Sequence, residues 1–200
     1  SPEVICRLMT DRKPLPGKLA FSRDLFVLLF LLRGMPFVDL AFLRRCDLQG
    51  NVITYHRRKT SRKLTVVVGK EAMEIIQKYM YAIPDSPYLF PIIQNPGKDE
   101  YGQYARMLRL QNYRLTQVAN ILGIRDRLST YTARHTWATT ALRQNYNSSL
   151  ICDAMGHSSV KVTETYFQPY RDDEVNRMNS SLITYILSKK KRGTDKKIRS

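Results

Sequence analysis

Three short stretches hold the residues best able to do chemistry: Tyr131-Thr132-Ala133-Arg134-His135-Thr136, Gly156-His157-Ser158-Ser159 and Thr163-Glu164-Thr165-Tyr166. A guanidinium is a permanently charged, planar fork of donors suited to oxyanions such as phosphate. An imidazole donates a hydrogen bond or carries a proton near neutral pH. A phenol is a weak nucleophile until a neighbour activates it. Singly, none of these decides anything. The chain has twelve tyrosines, and most tyrosines are packing residues with a polar tip. His157 alone reads equally as a capping or core histidine, and Arg134 as a salt-bridged structural arginine. Cys152, His135 and His157 lack ligand spacing, so no metal is implied.

Taken in this order and spacing, the stretches resemble the tyrosine recombinase (phage integrase-like) family. Its R-H-T/S box matches Arg134-His135-Thr136, its L-G-H-S-S box matches Gly156-His157-Ser158-Ser159, and Tyr166 follows His157 by the family's nine residues. The likeness runs on through Gly34-Met35, a Lys59-Thr60 hairpin and the closing helix, nearly the whole chain. It implies that Tyr166 attacks a DNA phosphodiester to give a 3′-phosphotyrosyl link. Arg134 would hold the nonbridging oxygens, and His157 would donate to the same phosphate or manage the tyrosine proton. Lys59 lines up with the hairpin lysine that protonates the leaving 5′-oxygen. The ester conserves the bond energy, so neither ATP nor another cofactor is implied.

Two positions depart from the family pattern. The first catalytic arginine normally follows a Gly-Leu or Gly-Met pair. Here Gly34-Met35 is followed by Pro36, which has no side-chain donor. Arg33 is the first candidate to replace it and Arg57, beside Lys59, the second; Arg33 reads equally as a helix C-terminal cation. Tyr131 stands where a histidine or lysine is usual three residues before Arg134. It keeps a hydrogen-bonding hydroxyl but brings no charge.

The elements that must position these groups read as an α+β, mainly α-helical fold with one small antiparallel sheet. A helix over residues 20–33 stops at Gly34, and a second, after Pro36, covers Phe37 to Leu43. Asp47 to Asn51 reads as a turn cluster. The β-type runs 52–55 and 64–68 flank a basic connector, which predicts a hairpin with a positive tip. Arg57, Arg58, Arg62 and Lys63 there are candidates to grip the DNA backbone, with His135 a further DNA-contact candidate. Helical patterns cover 70–81, 101–122 with Gly123 as cap, 133–143, 149–155 and 172–187. On helix 133–143, Trp137, Ala138, Ala141 and Leu142 read as a face packed inside the domain.

Charge agrees with a polyanionic partner. Lys and Arg outnumber Asp and Glu by 33 to 17, for a net charge of +16 and a pI near 10.0. The segment Ser188–Ser200 holds seven basic residues and one acid, so the rest of the chain still carries +10. We expect a catalytic domain over 1–188 and a basic, disordered tail over 189–200. The three cysteines, Cys6, Cys46 and Cys152, give no disulfide or zinc pattern and suit a reducing cytosol. The apolar run Leu25 to Leu32 is too short to span a bilayer.

The resemblance therefore implies a site-specific recombinase or integrase of a bacterial mobile element. It would be cytoplasmic, nucleoid-associated and not bound to a membrane. Its partners would be double-stranded DNA, its own copies in a homotetramer during synapsis, and accessory DNA-bending or directionality proteins. An upstream DNA-binding domain would complete a clamp on the duplex. Two rival readings remain: a type IB topoisomerase-like relaxer, and a catalytically silent DNA-binding protein suggested by Pro36 and Tyr131.

Overall fold

In the computed structural model, residues 1–166 and 176–184 are described. The centre is α2 (Gly17–Leu31), apolar around its whole circumference over residues 25–31: Leu25, Phe26, Leu28 and Leu29 are at most 1% exposed. Such a helix is stable only when surrounded. It is packed by α1 (Pro2–Thr10), α4 (Lys70–Tyr79), α5 (Glu100–Leu122) and α6 (Thr130–Arg143). Asp24 is its one buried carboxylate, held by Lys78 Nζ at 2.7 Å and the Tyr79 hydroxyl at 2.6 Å as well as by Arg23. Those donors keep its carboxyl below the usual range despite burial.

After α2 the chain reverses through Arg33 and Gly34, both in left-handed backbone, into the short α3 (Phe37–Ala41). A three-stranded antiparallel sheet follows, in the order β1 (Leu48–Gln49), β2 (Val52–His56), β3 (Lys63–Val67). Its register pairs Ile53 with Val66 and Tyr55 with Leu64. These four side chains are buried and alternate with exposed or half-buried ones, as the period of a one-sided sheet requires. The predicted hairpin is present, and its tip, 57–62, is the basic connector.

The segment 47–51, expected as a turn alone, also supplies β1. Two residues are too few to show alternation. The helix α1 went unread for a related reason, since only Ile5 and Leu8 of its nine residues are buried. The long α5 ends at Gly123 (φ 62°), as expected. Arg7 caps its end by donating to the Leu122 carbonyl, and Lys13 Nζ donates to that of Ile121 at 2.7 Å.

The C-terminal part of this unit is α6, α7 (Ser148–Met155) and α8 (Val160–Glu164). Here Ala138, Ile151, Met155 and Tyr166 form a second small core with Trp137, Ala141 and Leu142 against it. Ser1–Tyr166 is one compact unit, and Phe167–Ser200 is a second, in which 176–184 are helical. The rest of the predicted helix 172–187 and the tail 189–200 lie outside the described residues. Among the described residues no helix is long and apolar enough to cross a membrane.

Candidate active site

Four elements deliver the polar groups to one place. The first is α6. Ser129 caps it with a reciprocal box: its hydroxyl accepts from Thr132 N, and Thr132 Oγ1 accepts from Ser129 N at 3.0 Å. Asn112 of α5 accepts from Thr130 N at 2.9 Å and so fixes where α6 begins. One turn on, Arg134 points inward and is 7% exposed. Its Nη1 donates to Gly34 O at 2.6 Å and its Nη2 to Met155 O at 3.0 Å. Gly34 (φ +66°) is required twice over: its backbone is left-handed, and a Cβ there would stand 3.1 Å from Arg134 Cα.

The second element is the C-terminus of α7, where Gly156 (φ 64°) turns the chain and His157 N closes back on Cys152 O at 3.0 Å. The third is the hairpin tip. Arg57, also buried, donates through Nη1 to Met155 O at 2.6 Å and Gly156 O at 3.2 Å. Two guanidiniums thus converge on the carbonyl end of one helix, where the negative pole of the helix offsets part of their repulsion. Gly156 leaves no room for a side chain, since a Cβ would lie 3.1 Å from Arg57 Cγ and 2.9 Å from Leu64 Cδ1.

Asp39 of α3 balances Arg57. Its side chain is fully buried, with Oδ2 2.8 Å from Arg57 Nε and Oδ1 accepting from Arg58 N at 2.9 Å. The Nε–Oδ2 contact is a charge pair rather than an aligned hydrogen bond, so both atoms keep unused bonding capacity. Burial pushes the Asp39 carboxyl up against the pull of Arg57 and Arg134. Asp39 pairs with Arg57, whereas Arg134 is bonded to the Gly34 and Met155 carbonyls and to His157. The site has an excess of buried positive charge.

The fourth element, α8, brings Thr163 and Tyr166. His157 lies between α6 and α8, with Nε2 2.6 Å from Arg134 Nη2 and Nδ1 2.8 Å from Thr163 Oγ1. Burial, then the charges of Arg134, Arg57 and Lys59, drive its pKa down to about 4, so the ring is neutral at pH 7. The ring of Tyr166 stacks beside that of His157 (centroids 6.1 Å apart, 8° between planes), with the exposed His135 ring 5.5 Å away. Burial raises the Tyr166 hydroxyl to about 12, and Arg134 acts against that rise. Tyr131, 60% exposed, places its hydroxyl 3.4 Å from that of Tyr166.

The structure therefore gathers Arg134, His157, Tyr166, Tyr131 and Arg57. Lys59 is exposed in the hairpin turn, close enough for its charge to act on His157. Arg33 is directed elsewhere. Its Nη1 donates to Thr65 O at 3.2 Å, and it lines a cavity of about 500 Å³ with Phe30, Trp137, Ala141 and Leu150. Of the two candidates to replace the missing arginine, Arg57 is the one beside Arg134.

Among the other basic residues, Arg58 lies over the Phe42 ring at 3.8 Å. Arg62 bridges Asp153 Oδ1 at 2.9 Å and His157 O at 3.3 Å, and Lys63 is exposed on β3. Asp39 and Thr163 escaped the sequence reading. The available signals were an acid three residues after the misplaced proline, and a threonine three before Tyr166.

Comparison with known proteins identifies the family. The profile described as the phage integrase family matches residues 2–172. Tyrosine recombinase XerC of Thermodesulfovibrio yellowstonii is 26% identical over 167 residues, covering 76% of this chain and 52% of that protein. The chain thus spans about half the length of this curated relative. Among solved structures, XerA recombinase superposes with a TM-score of 0.63 at 20% identity, covering 90% of this chain and 62% of that one. The Tn1549 transposon integrase in complex with a circular intermediate DNA gives 0.63 at 17% identity, with 90% and 63% covered. XerH site-specific recombinase bound to its difH substrate gives 0.61 at 17%, with 89% and 52% covered. At these identities the structures speak for the fold, that of a recombinase catalytic domain, and the profile speaks for descent. The chain belongs to the phage integrase family.

Proposed function

We propose that this chain is the catalytic domain of a site-specific DNA recombinase that cuts and rejoins strands through Tyr166. The observation that carries this reading is a buried cluster in which Arg134 and Arg57 lie together, Arg57 alone paired with a carboxylate, beside a tyrosine hydroxyl and a neutral imidazole. Buried cations without counter-charges are costly, and a phosphodiester supplies the missing anion. Arg134 and Arg57 then bind its nonbridging oxygens, whose charge grows in the transition state.

Tyr166 Oη forms the new bond to phosphorus as the bond to the 5′-oxygen breaks. The phenolic proton passes to His157 Nε2, and the Lys59 ammonium protonates the departing 5′-oxygen. Attack by a 5′-hydroxyl on the phosphotyrosine reverses the sequence and rejoins a strand without external energy. Arg57 takes the place of the arginine that Pro36 displaces, and Tyr131 holds the nucleophile through its hydroxyl. Arg58, Arg62, Lys63 and His135 contact the DNA backbone around the pocket.

We further propose that the catalytic domain extends to about residue 188, followed by a basic tail, and that the working form is a cytoplasmic homotetramer on DNA. Met178, Leu182 and Ile183, exposed on the helical segment 176–184, offer apolar side chains for contact between copies.

The test is covalent capture. Nicked duplexes tiled across the DNA flanking the coding sequence are incubated with the full-length protein and resolved under denaturing conditions. A denaturation-resistant adduct with the native protein, lost in Tyr166→Phe, is expected. DNA binding with no adduct from any duplex would overturn the enzymatic reading in favour of a silent binder. Relaxation of supercoiled DNA without exchange between two sites would favour the topoisomerase reading.

A further inference from the structure

We propose that Thr163 is a positioning residue that receives the Nδ1–H of His157, holds the ring with Nε2 as the nitrogen that handles the proton, and so ties proton transfer to the docking of α8. The inference rests on the reading of Tyr166 as nucleophile only for its catalytic consequence. Its structural part stands on the geometry of His157.

Arginine has donors and no acceptor, and it stays protonated in proteins. The 2.6 Å contact from Arg134 Nη2 therefore makes His157 Nε2 an acceptor. A neutral imidazole carries one proton, which must then sit on Nδ1 and be donated to Thr163 Oγ1, 2.8 Å away. Thr163 is 0% exposed, so no water substitutes for its hydroxyl. The groups facing His157 are Arg134 from α6, Arg57 and Lys59 from the hairpin, and Tyr166 beside its ring. None of them accepts a proton from Nδ1.

With Nδ1–H committed to Thr163, Nε2 is the sole port for a proton. In the resting site Arg134 occupies it. When a phosphodiester draws the guanidinium to its oxygens, Nε2 is freed beside Tyr166 to take the phenolic proton, and nothing else in the ring has to change.

The coupling to α8 follows from spacing. Tyr166 N donates to Thr163 O at 3.1 Å, so the residue that orients the imidazole and the residue that attacks share one turn of backbone. An α8 displaced from the site would remove the nucleophile and the partner that holds the imidazole together. This gives a site that cannot move the proton before the phenol is in place.

The experiment uses the chain with ¹⁵N-labelled histidine, read by long-range ¹H–¹⁵N spectra at pH 7, with thermal melts as a check on folding. The expected result is a single Nδ1–H tautomer for His157 in the native chain. It is retained in Thr163→Ser with native ring signals, while in Thr163→Val, which removes the hydroxyl at nearly constant shape, the Nδ1–H loses its acceptor and its ¹H and ¹⁵N signals shift from the native positions. In the adduct assay Thr163→Val should lose about 10- to 100-fold in rate, the range found for partners that orient metal-bound imidazoles. The acid limb of its pH profile should move, and Thr163→Ser should restore both. An Nε2–H tautomer in the native chain would overturn the proposal, even if Thr163→Val fails to fold. So would a Thr163→Val chain with unchanged His157 ring signals and an unchanged pH profile. Should no variant or native chain form an adduct, the nucleophile reading fails while the His157 ring signals still decide the role of Thr163.

Discussion

Replacing Arg57 by methionine should damage the protein in two separable ways. The side chain of Asp39 is fully buried, 2.8 Å from Arg57 Nε, and its other oxygen has only Arg58 N as donor. Removing one partner of such a pair leaves an uncompensated buried charge, at a cost of about 3–5 kcal/mol. Against a domain stability of about 5–15 kcal/mol, that is a large fraction. Arg57→Met should therefore lower the urea midpoint strongly. Adding Asp39→Asn removes the orphaned charge while its side-chain oxygen can still accept from Arg58 N, so the double variant should recover most of the lost stability.

Catalysis should not recover with it. If Arg57 binds a nonbridging phosphate oxygen, the double variant still lacks one transition-state donor. Its adduct rate should then stay about 10²- to 10³-fold low. Urea unfolding gives the first quantity, and single-turnover adduct formation on a nicked duplex the second. A double variant that is stable and cleaves at the native rate would refute the reasoning, because Arg57 would then serve only to neutralise Asp39. A single variant as stable as the double would refute the electrostatic account of the pair.

The depressed His157 pKa predicts acid sensitivity. The folded ring resists protonation down to about pH 4, while the unfolded ring titrates near 6.5, so between those values the unfolded state binds more protons and stability falls with pH. Between pH 7 and 5 the native chain should lose about 2 kcal/mol more than His157→Asn in urea unfolding; equal losses would contradict it. Gly34→Ala should cost more than Gly50→Ala in the same assay. Both glycines have positive φ, but a Cβ at Gly34 meets Arg134 at 3.1 Å and one at Gly50 meets nothing within 4 Å. The shared strain is about 1–2 kcal/mol and the excess reports the close approach, so equal losses would deny that approach any weight. Tyr131→Phe removes a long, 3.4 Å contact to Tyr166, so the adduct rate should fall by about tenfold or less; abolition would assign Tyr131 a larger part than holding the nucleophile.

Much of this protein was legible in order and spacing alone. The Arg-His-Thr and Gly-His-Ser-Ser boxes and Tyr166 lie within 33 residues, on short elements whose caps are local: Ser129 and Thr132 for α6, Gly156 for α7. The hairpin was equally plain, because two runs of β-type residues bounded a basic connector. Helix α8, with five residues and one buried position, left no periodic trace of its own.

What the tertiary structure alone decided was which of the two candidate arginines lies beside Arg134. Arg33 follows α2 directly and looked the nearer choice, yet its guanidinium goes to Thr65 O on β3. Arg57 reaches the pocket because its partners are carbonyls of Met155 and Gly156, almost a hundred residues later in the chain, and a carboxylate on α3. A buried charge goes where remote backbone groups can solvate it. Sequence spacing records the side chains that carry the charge, but the carbonyls that receive it are common to every residue and become visible only when the chain is folded.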